Sequence, residues 1–136
     1  LINKEKLTGD NEDMMEYLRG EIKCMREFKE RNMVRFYEME KDDEYYYMVR
    51  EYCDGGDLVN VQGKMDNMVF PLETATEYLS QVITGLEQLH KRGYLHRDIK
   101  PQNVILKNEN GEKVLKIADF GFAKKAVNVP GTVLGT

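Results

Sequence analysis

The sequence predicts an α+β fold, because helical and strand-like patterns occupy separate segments of the chain. Two long segments carry apolar residues every three or four positions, which is typical of amphipathic helices. Two pairs of short segments rich in aromatic and β-branched residues flank polar turns, which indicates two β-hairpins. With 136 residues, 41% of them hydrophobic, the chain has enough apolar side chains for one core.

The first half is predicted to hold a helix and a hairpin. The helix is expected over residues 12–30, where apolar residues recur at helical spacing: Met14, Leu18, Ile22, Met25 and Phe28. The hairpin is expected from strands over 33–37 and 45–49, joined by a charged turn at 41–44.

The second half is predicted to hold two helices and a second hairpin. A short helix opens at Asp57-Leu58-Val59, after the Gly55-Gly56 pair. After Pro71, an apolar stripe predicts a long helix over about 73–92 that ends near Gly93. Strands at 104–106 and 114–117, separated by a turn at 108–111, then form the second hairpin.

Composition excludes several classes of protein. The net charge of -4 argues against general binding to nucleic acid or anionic membranes. No window of the sequence has the apolar length needed to span a membrane. Cys24 and Cys53 lack the spacing of metal ligands, so we expect reduced thiols in an intracellular, cytoplasmic protein.

Two motifs in the second half carry the chemistry. Residues 96–103, His-Arg-Asp-Ile-Lys-Pro-Gln-Asn, fit the pattern H-R-D-x-x-x-x-N, and Asp119-Phe120-Gly121 follows the second predicted hairpin. Phosphoryl transfer needs a carboxylate beside the acceptor hydroxyl, a cation beside the phosphate, and oxygen ligands for magnesium. The two motifs together supply all three.

These motifs, in this order of elements, resemble the middle of a eukaryotic serine/threonine protein kinase catalytic domain, and the resemblance covers essentially the whole chain. Lys100 is typical of the serine/threonine class, and residues 100–103 and 119–124 resemble those of the autophagy-initiating kinases. The resemblance implies a partial bilobal fold with an N-lobe portion at 1–50, a hinge at 51–57, and a C-lobe portion at 58–136 that ends in the activation segment. It implies ATP and Mg²⁺ as cofactors and a Ser- or Thr-containing protein as substrate, and it identifies no regulatory partner.

The resemblance also assigns catalytic roles. Asp98 would accept the proton of the substrate hydroxyl, and Lys100 would sit beside the γ-phosphate. Asn103 and Asp119 would bind magnesium, for which their oxygen atoms are suitably hard ligands. The alternatives are an ordinary loop aspartate, a solvated lysine, a turn-forming asparagine and an aspartate at a strand end.

Four further residues would contact the nucleotide if the resemblance holds. Glu51 and Cys53 would present a backbone carbonyl and amide to the adenine edge. Ile105 would form the apolar floor below the adenine and is also a core strand residue. Asp57 would contact the ribose, although an acidic residue at a helix N-terminus explains it equally well.

Several residues have expected structural roles. Glu21 falls where the family's helix carries an ion-pairing glutamate, although one glutamate on a charged helix is usually just solvated. Arg50 stands where the family has an uncharged gatekeeper behind the nucleotide, so it must reach water or find a carboxylate such as Glu21. We expect His96 to be a packed histidine and not a proton shuttle, and Phe120 with Gly121 completes the second motif.

A regulatory site is expected in the last residues. Thr132 resembles the family's activation-loop phosphosite, and Thr136 resembles a later threonine of the substrate-binding segment. Arg97 would bind the phosphate bidentately. The alternative is an unmodified threonine in a turn rich in Gly and Pro.

Two family elements are absent from these 136 residues, namely a Gly-x-Gly-x-x-Gly loop and a Val-Ala-Ile-Lys strand. We therefore expect an internal piece of a kinase domain that is inactive by itself. We also expect apolar groups of the first helix and hairpin to be exposed in one large patch, formed by Met14, Leu18, Met25, Phe28 and the tyrosines. The rival hypothesis is a pseudokinase or scaffold that binds partners without transferring phosphate, which Arg50 keeps open.

Overall fold

Two β-hairpins and two long helices organise the computed structural model, which describes residues 1–4 and 12–126. The predicted α+β fold is confirmed. The helices are α1 (Glu12–Glu27), α2 (Leu58–Gln62) and α3 (Leu72–Lys91), with short 3₁₀ turns at Asp66–Met68 and Pro101–Asn103. The strands are β1 (Ile2–Asn3), β2 (Phe36–Lys41), β3 (Tyr45–Arg50), β4 (Gly56–Asp57), β5 (Tyr94–Leu95), β6 (Val104–Glu109), β7 (Glu112–Ile117) and β8 (Lys124–Lys125).

The strands pair antiparallel in three small sheets, with the orders β1-β3-β2, β4-β6-β7 and β5-β8. In the first hairpin, β2–β3, the carboxylate of Asp42 accepts hydrogen bonds from the amides of Glu44 and Tyr45 at 2.8 and 2.7 Å. A side chain that bonds to nearby amides in this way stabilises a tight turn. The first hairpin therefore forms where the polar turn predicted it.

The second hairpin, β6–β7, turns through Asn110 and Gly111, whose φ angles are +51° and +85°. Two consecutive residues with positive φ are the signature of the two-residue turn that matches the twist of antiparallel strands. Leu106 pairs with Leu115, and Val104 pairs with Ile117. This hairpin connects the two sequence motifs, since one precedes it and the other follows it.

The segment between α1 and β2 differs from the prediction. Helix α1 ends at Glu27 and not near residue 30, and β2 begins at Phe36 and not at residue 33. Residues 32–34 pair with the second hairpin instead, because Ile117 donates to the carbonyl of Asn32 and Val34 donates to that of Ile117, both at 2.9 Å. The chain must leave the helix early to reach β7.

The apolar face of α1 is buried, so the expectation that it would be exposed is wrong. Leu18, Met25 and Phe28 are only 6%, 2% and 2% exposed. Residues from the second half of the chain cover this face, and one buried cluster joins the two halves: Cys24, Met25, Phe28, Met33, Phe36, Leu89, Tyr94, Ile117 and Phe120. The side chain of Met14 lies outside the described residues.

One face of the first hairpin does remain exposed, with Tyr37 at 55% and both Tyr47 and Val49 at 39%. Tyr45 and Tyr46 are half-buried. The expectation of exposed tyrosines therefore holds for part of the cluster. Among the described residues, no helix is both long and apolar enough to span a membrane.

Helix α3 lies close to β7 because it has a glycine at the contact. A Cβ atom added to Gly85 would lie 2.8 Å from Cδ1 of Ile117 and 3.1 Å from the carbonyl oxygen of Asn32. Such distances are far inside van der Waals contact. Helix α3 is held against β7 by this contact, and it is followed along the chain by β5 and then by the first sequence motif.

Candidate active site

The structure brings three predicted catalytic residues into direct contact. The ammonium of Lys100 donates to Oδ2 of Asp98 at 2.7 Å, and Nδ2 of Asn103 donates to the same oxygen at 2.9 Å. The hydrogen bond from Lys100 is the main cause that lowers the pKa of Asp98, despite an opposing effect of desolvation. Asp98 is therefore ionised at neutral pH, with Oδ1 left to accept a further proton or hydrogen bond.

Asn103 fastens this loop to the segment that carries the second motif. Its side chain is buried, and Nδ2 also donates to the carbonyl of Asp98 at 2.9 Å. Its backbone amide donates to the carbonyl of Lys100 at 2.9 Å, and its own carbonyl accepts from the amide of Ala118 at 2.8 Å. Because Nδ2 is engaged, Oδ1 is the amide atom that remains for a cation.

His96 lies beneath the loop as a packed side chain that is 2% exposed. Its Nε2 lies 3.0 Å from the carbonyl oxygen of Ala118, and the amide of Asp98 donates to Nδ1 at 3.3 Å. These partners assign the proton to Nε2, since Nδ1 must act as acceptor. Desolvation lowers the pKa of His96, so the ring is neutral and serves to position the loop.

The second motif places Phe120 in the core and Asp119 at the surface of the site. The ring of Phe120 is stacked on that of Phe28, the residue after α1, with centroids 6.4 Å apart, and meets the ring of His96 edge-on at 5.3 Å. Asp119 is half-buried and adopts a φ of +59°, which is uncommon for a residue other than glycine. The amide of Gly121 lies 3.4 Å from Oδ1 of Asp119. Packing of Phe120 thus fixes where the carboxylate of Asp119 can lie.

The pKa of Glu21 on α1 is affected by the charges of Arg50 and Asp119. Desolvation is the largest influence and raises the pKa of Glu21, the positive charge of Arg50 opposes it, and Asp119 raises it further. Glu21 forms no ion pair within 4 Å among the described residues.

Arg50 ends β3 with its side chain exposed. We expected Arg50 either to reach water or to pair with a carboxylate, and in the structure it reaches water. Its positive charge still lowers the pKa of Glu21 from a distance. Because the guanidinium is not buried, Arg50 gives no support to the rival hypothesis of a pseudokinase.

The predicted nucleotide-contacting residues lie on the segment after β3, on β4 and on β6. The backbone amide of Glu51 donates to the carbonyl of Arg35 at 2.7 Å, and Cys53 is half-buried, with a pKa raised by desolvation. Ile105 pairs with Asp57 across β6 and β4. The carboxylate of Asp57 accepts from the amide of Asn60 at 2.9 Å and so caps α2, which is the structural alternative for this residue.

A basic cavity of about 500 Å³ lies beside Arg97. It is lined by four cationic side chains and one acidic one: Arg19, Lys23, Arg97, Lys124 and Glu16. The Nε of Arg97 donates to the carbonyl of Phe122 at 2.7 Å. Sequence reasoning missed Arg19 and Lys23, although their separation by four positions on α1 was a visible signal. Thr132 and Thr136 lie outside the described residues.

The two residues predicted to bind magnesium are an asparagine and an aspartate. No group of three or more His, Cys, Asp or Glu residues is placed to hold a metal within the described ranges. Magnesium keeps several waters and needs only one or two protein oxygens together with phosphate oxygens. Oδ1 of Asn103 and the carboxylate of Asp119 are oxygen atoms of that kind.

Comparison with known proteins places the chain in a family. A model of the protein kinase domain matches residues 2–136. The chain is 36% identical over 129 residues to serine/threonine-protein kinase ULK1 of Homo sapiens, covering 90% of this chain and 12% of that protein. It is 35% identical over 125 residues to serine/threonine-protein kinase atg1 of Dictyostelium discoideum, covering 88% of this chain and 18% of that protein. It is 39% identical over 115 residues to serine/threonine-protein kinase ATG1c of Arabidopsis thaliana, covering 84% of this chain and 15% of that protein.

The chain spans less than a fifth of the length of these relatives. The family match covers nearly all of the chain, and relatives of the ULK1/Atg1 kind confirm the resemblance predicted from the motifs. Proteins with this domain generally use ATP and Mg²⁺ and act on other proteins. The chain belongs to the protein kinase family, among the serine/threonine kinases.

Proposed function

We propose that the protein to which this chain belongs transfers the γ-phosphoryl group of ATP to a Ser or Thr hydroxyl of a protein substrate. The observation that supports this most strongly is the convergence of Lys100 and Asn103 on one oxygen of Asp98. The two donors come from side chains that the sequence motif places two and five residues after Asp98, so the motif residues converge in space as well as in sequence. The contact leaves Oδ1 of an ionised carboxylate free for a substrate proton.

In this proposal, Asp98 accepts the hydroxyl proton and orients the attacking oxygen, which typically accelerates a reaction by about 10²–10⁴-fold. Lys100 is exposed enough to turn from Asp98 toward the transferred phosphoryl group as a point charge. Asn103 and Asp119 hold Mg²⁺, which neutralises charge on the phosphate oxygens when bound. His96 acts only through the loop that it supports.

We further propose that the nucleotide lies against the segment after β3, with Glu51 and Cys53 at the adenine edge, Ile105 below it and Asp57 near the ribose. This assignment divides the chain into an N-lobe portion at 1–50, a hinge at 51–57 and a C-lobe portion at 58–136. We infer a cytoplasmic location, which the two free cysteines support because disulfides are rare there.

The transfer is tested in the full-length protein with Asp98→Asn. We expect kcat to fall by about 10²–10⁴-fold with little change in the KM for ATP, because the amide cannot accept the proton but keeps the shape of the side chain. Asp66→Asn, in an exposed 3₁₀ turn, is the matched control and should retain full activity. Undiminished transfer by Asp98→Asn would contradict the proposal.

We also propose that phosphorylation of Thr132 activates the protein. The four cations around the basic cavity support this, since a phosphate adds roughly -1.5 to -2 charge and binds arginine bidentately. Thr132→Ala should sharply reduce activity of the full-length protein and leave ATP binding nearly intact. Thr84→Ala on α3 is the control, and a fully active Thr132→Ala protein would overturn the idea.

The 136-residue chain alone should be inactive. It contains neither the Gly-rich loop nor the phosphate-gripping lysine with which the family positions the nucleotide. Transfer of labelled phosphate by this chain, abolished by Asp98→Asn, would show that these elements are dispensable.

A further inference from the structure

A cluster of four charged side chains surrounds the start of the segment that joins β3 to β4. It contains two lysines and two glutamates and is named here the ion cluster: Glu51, Lys107, Glu109 and Lys116. Lys116 is 4% exposed and is the one lysine or arginine that is buried in the described part of the chain. The side chain of Glu51 is 8% exposed.

The ammonium of Lys116 lies close to three oxygen atoms. Nζ lies 3.1 Å from Oε1 of Glu51, 3.2 Å from Oε1 of Glu109, and 2.8 Å from the carbonyl oxygen of Arg31. Burying an ammonium is costly, and such a set of acceptors offsets the cost without making the arrangement more stable than an apolar one. Stability alone is therefore a weak reason for the cluster.

Glu51 is held from three directions by its carboxylate. Oε1 accepts from Lys107 on β6 at 2.6 Å and from Lys116 on β7 at 3.1 Å, while Oε2 accepts from the amide of Arg35 before β2 at 3.1 Å. Desolvation raises the pKa of Glu51, but these hydrogen bonds outweigh it and the pKa is lowered. The carboxylate is a fixed anchor where both hairpins meet.

The rest of the segment, residues 51–55, is fastened to β6 as well. Oδ1 of Asp54 accepts from the amide of Asn108 at 2.9 Å, and the amide of Gly55 donates to the carbonyl of Leu106 at 2.9 Å. Residues 52 and 53 therefore lie between the ionic contacts of Glu51 on one side and the hydrogen bonds of Asp54 and Gly55 to β6 on the other. Removing the contacts of Glu51 would free only the first of these two sides.

We infer that Lys116 and Glu51, through their side chains, are positioning residues that set the place of the backbone groups proposed to meet the adenine. The effect on nucleotide binding rests on the proposed function, whereas the anchoring of residues 51–55 by the ion cluster does not. The side chains do not touch the substrate. They act by holding the carbonyl of Glu51 and the amide of Cys53 at a fixed distance from β6.

The test uses the full-length protein and the double variant Glu51→Met/Lys116→Met, because replacing both partners by apolar groups of similar length preserves folding better than leaving one charge unpaired. We expect the KM for ATP to rise about tenfold with kcat within about twofold, which is the signature of lost ground-state binding. Amide exchange at residues 52–54 should become faster.

The matched control is Lys113→Met, on the same strand with an exposed side chain, which should change neither quantity. An unchanged KM and unchanged exchange in the double variant would overturn the inference. If the unaltered protein transfers no phosphate, the proposed function fails, and exchange at residues 52–54 then decides the anchoring role by itself.

Discussion

The two hairpins of this chain have the same local design and very different surroundings. Each pairs two six-residue strands antiparallel through a short polar turn. The first hairpin exposes Tyr37, Tyr47 and Val49, whereas four consecutive residues of β7, 114–117, are all buried. Helix α3 and residues 32–34 cover the second hairpin, and nothing comparable covers the outer face of the first within the described residues.

This difference indicates that the second hairpin is the more tightly packed support for functional side chains. Asn103 lies immediately before the second hairpin, and Asp119 follows it by two residues. Catalytic groups held by well-packed elements keep their geometry better than groups on loops without such support. The candidate site is therefore built on the buried hairpin, and the exposed one contributes only through the segment after β3.

The largest effect is expected from truncating the buried hairpin. Leu115→Ala removes a side chain that is 1% exposed and should lower the free energy of unfolding of the 136-residue chain by about 2–5 kcal/mol. Val49→Ala, at 39% exposure in the first hairpin, should cost less than about 1 kcal/mol. Urea unfolding of both variants makes the comparison, and equal losses would show that burial does not distinguish the hairpins.

Two glycine-to-alanine substitutions should change the free energy of unfolding by smaller amounts and in opposite directions. A Cβ atom at Gly55 would lie 2.7 Å from the carbonyl oxygen of Leu106, so Gly55→Ala must push β4 away from the second hairpin and should cost about 1–3 kcal/mol. Gly20 on α1 has no atom within 4 Å of its added Cβ, and Gly20→Ala should stabilise the chain by about 0.5–1 kcal/mol. Thermal unfolding distinguishes the two, and a stabilising Gly55→Ala would be incompatible with the close approach seen here.

Acid should weaken the second hairpin more than the first. Desolvation is the largest single influence on Glu51 and Glu109 and raises their pKa values, but the hydrogen bonds and charges of the lysines together outweigh it and leave both pKa values below the ordinary 4.5. A lowered pKa adds stability that is fully present above 4.5 and is lost as the pH falls through the folded-state values. Asp42 in the first turn also has a lowered pKa, mainly through the hydroxyl of Tyr47, but it is exposed.

The pH dependence can be measured by unfolding the chain between pH 6 and about pH 2.5. Glu51→Met/Lys116→Met should flatten the loss of stability on the acid side, and Asp42→Asn should leave it nearly unchanged. If Asp42→Asn flattened the loss of stability in acid more than Glu51→Met/Lys116→Met does, the acid-sensitive interaction would lie in the first turn instead.

Much of this arrangement is predictable from the sequence, because it depends on neighbouring residues. Both hairpins, both long helices and the order of the two motifs follow from local spacing, turn residues and the pattern around Asp98. The exposure of Arg50 and the burial of α1 do not follow. Phe28 is covered by Phe120, and no local pattern reveals a contact between residues so far apart. The ion cluster escaped prediction for the same reason, whereas the Arg19 and Lys23 pair of the basic cavity was visible in the spacing of α1 and only its partners Arg97 and Lys124 were not.

The most direct test of the contrast between the hairpins is amide hydrogen exchange on the 136-residue chain under native conditions. We predict that amides of β6, β7 and α3 exchange only through global unfolding, and that amides of β2 and β3 open locally and exchange at least about tenfold faster. Equal protection of the two hairpins, or stronger protection of the first, would contradict the claim that the candidate site is built on the more rigid one.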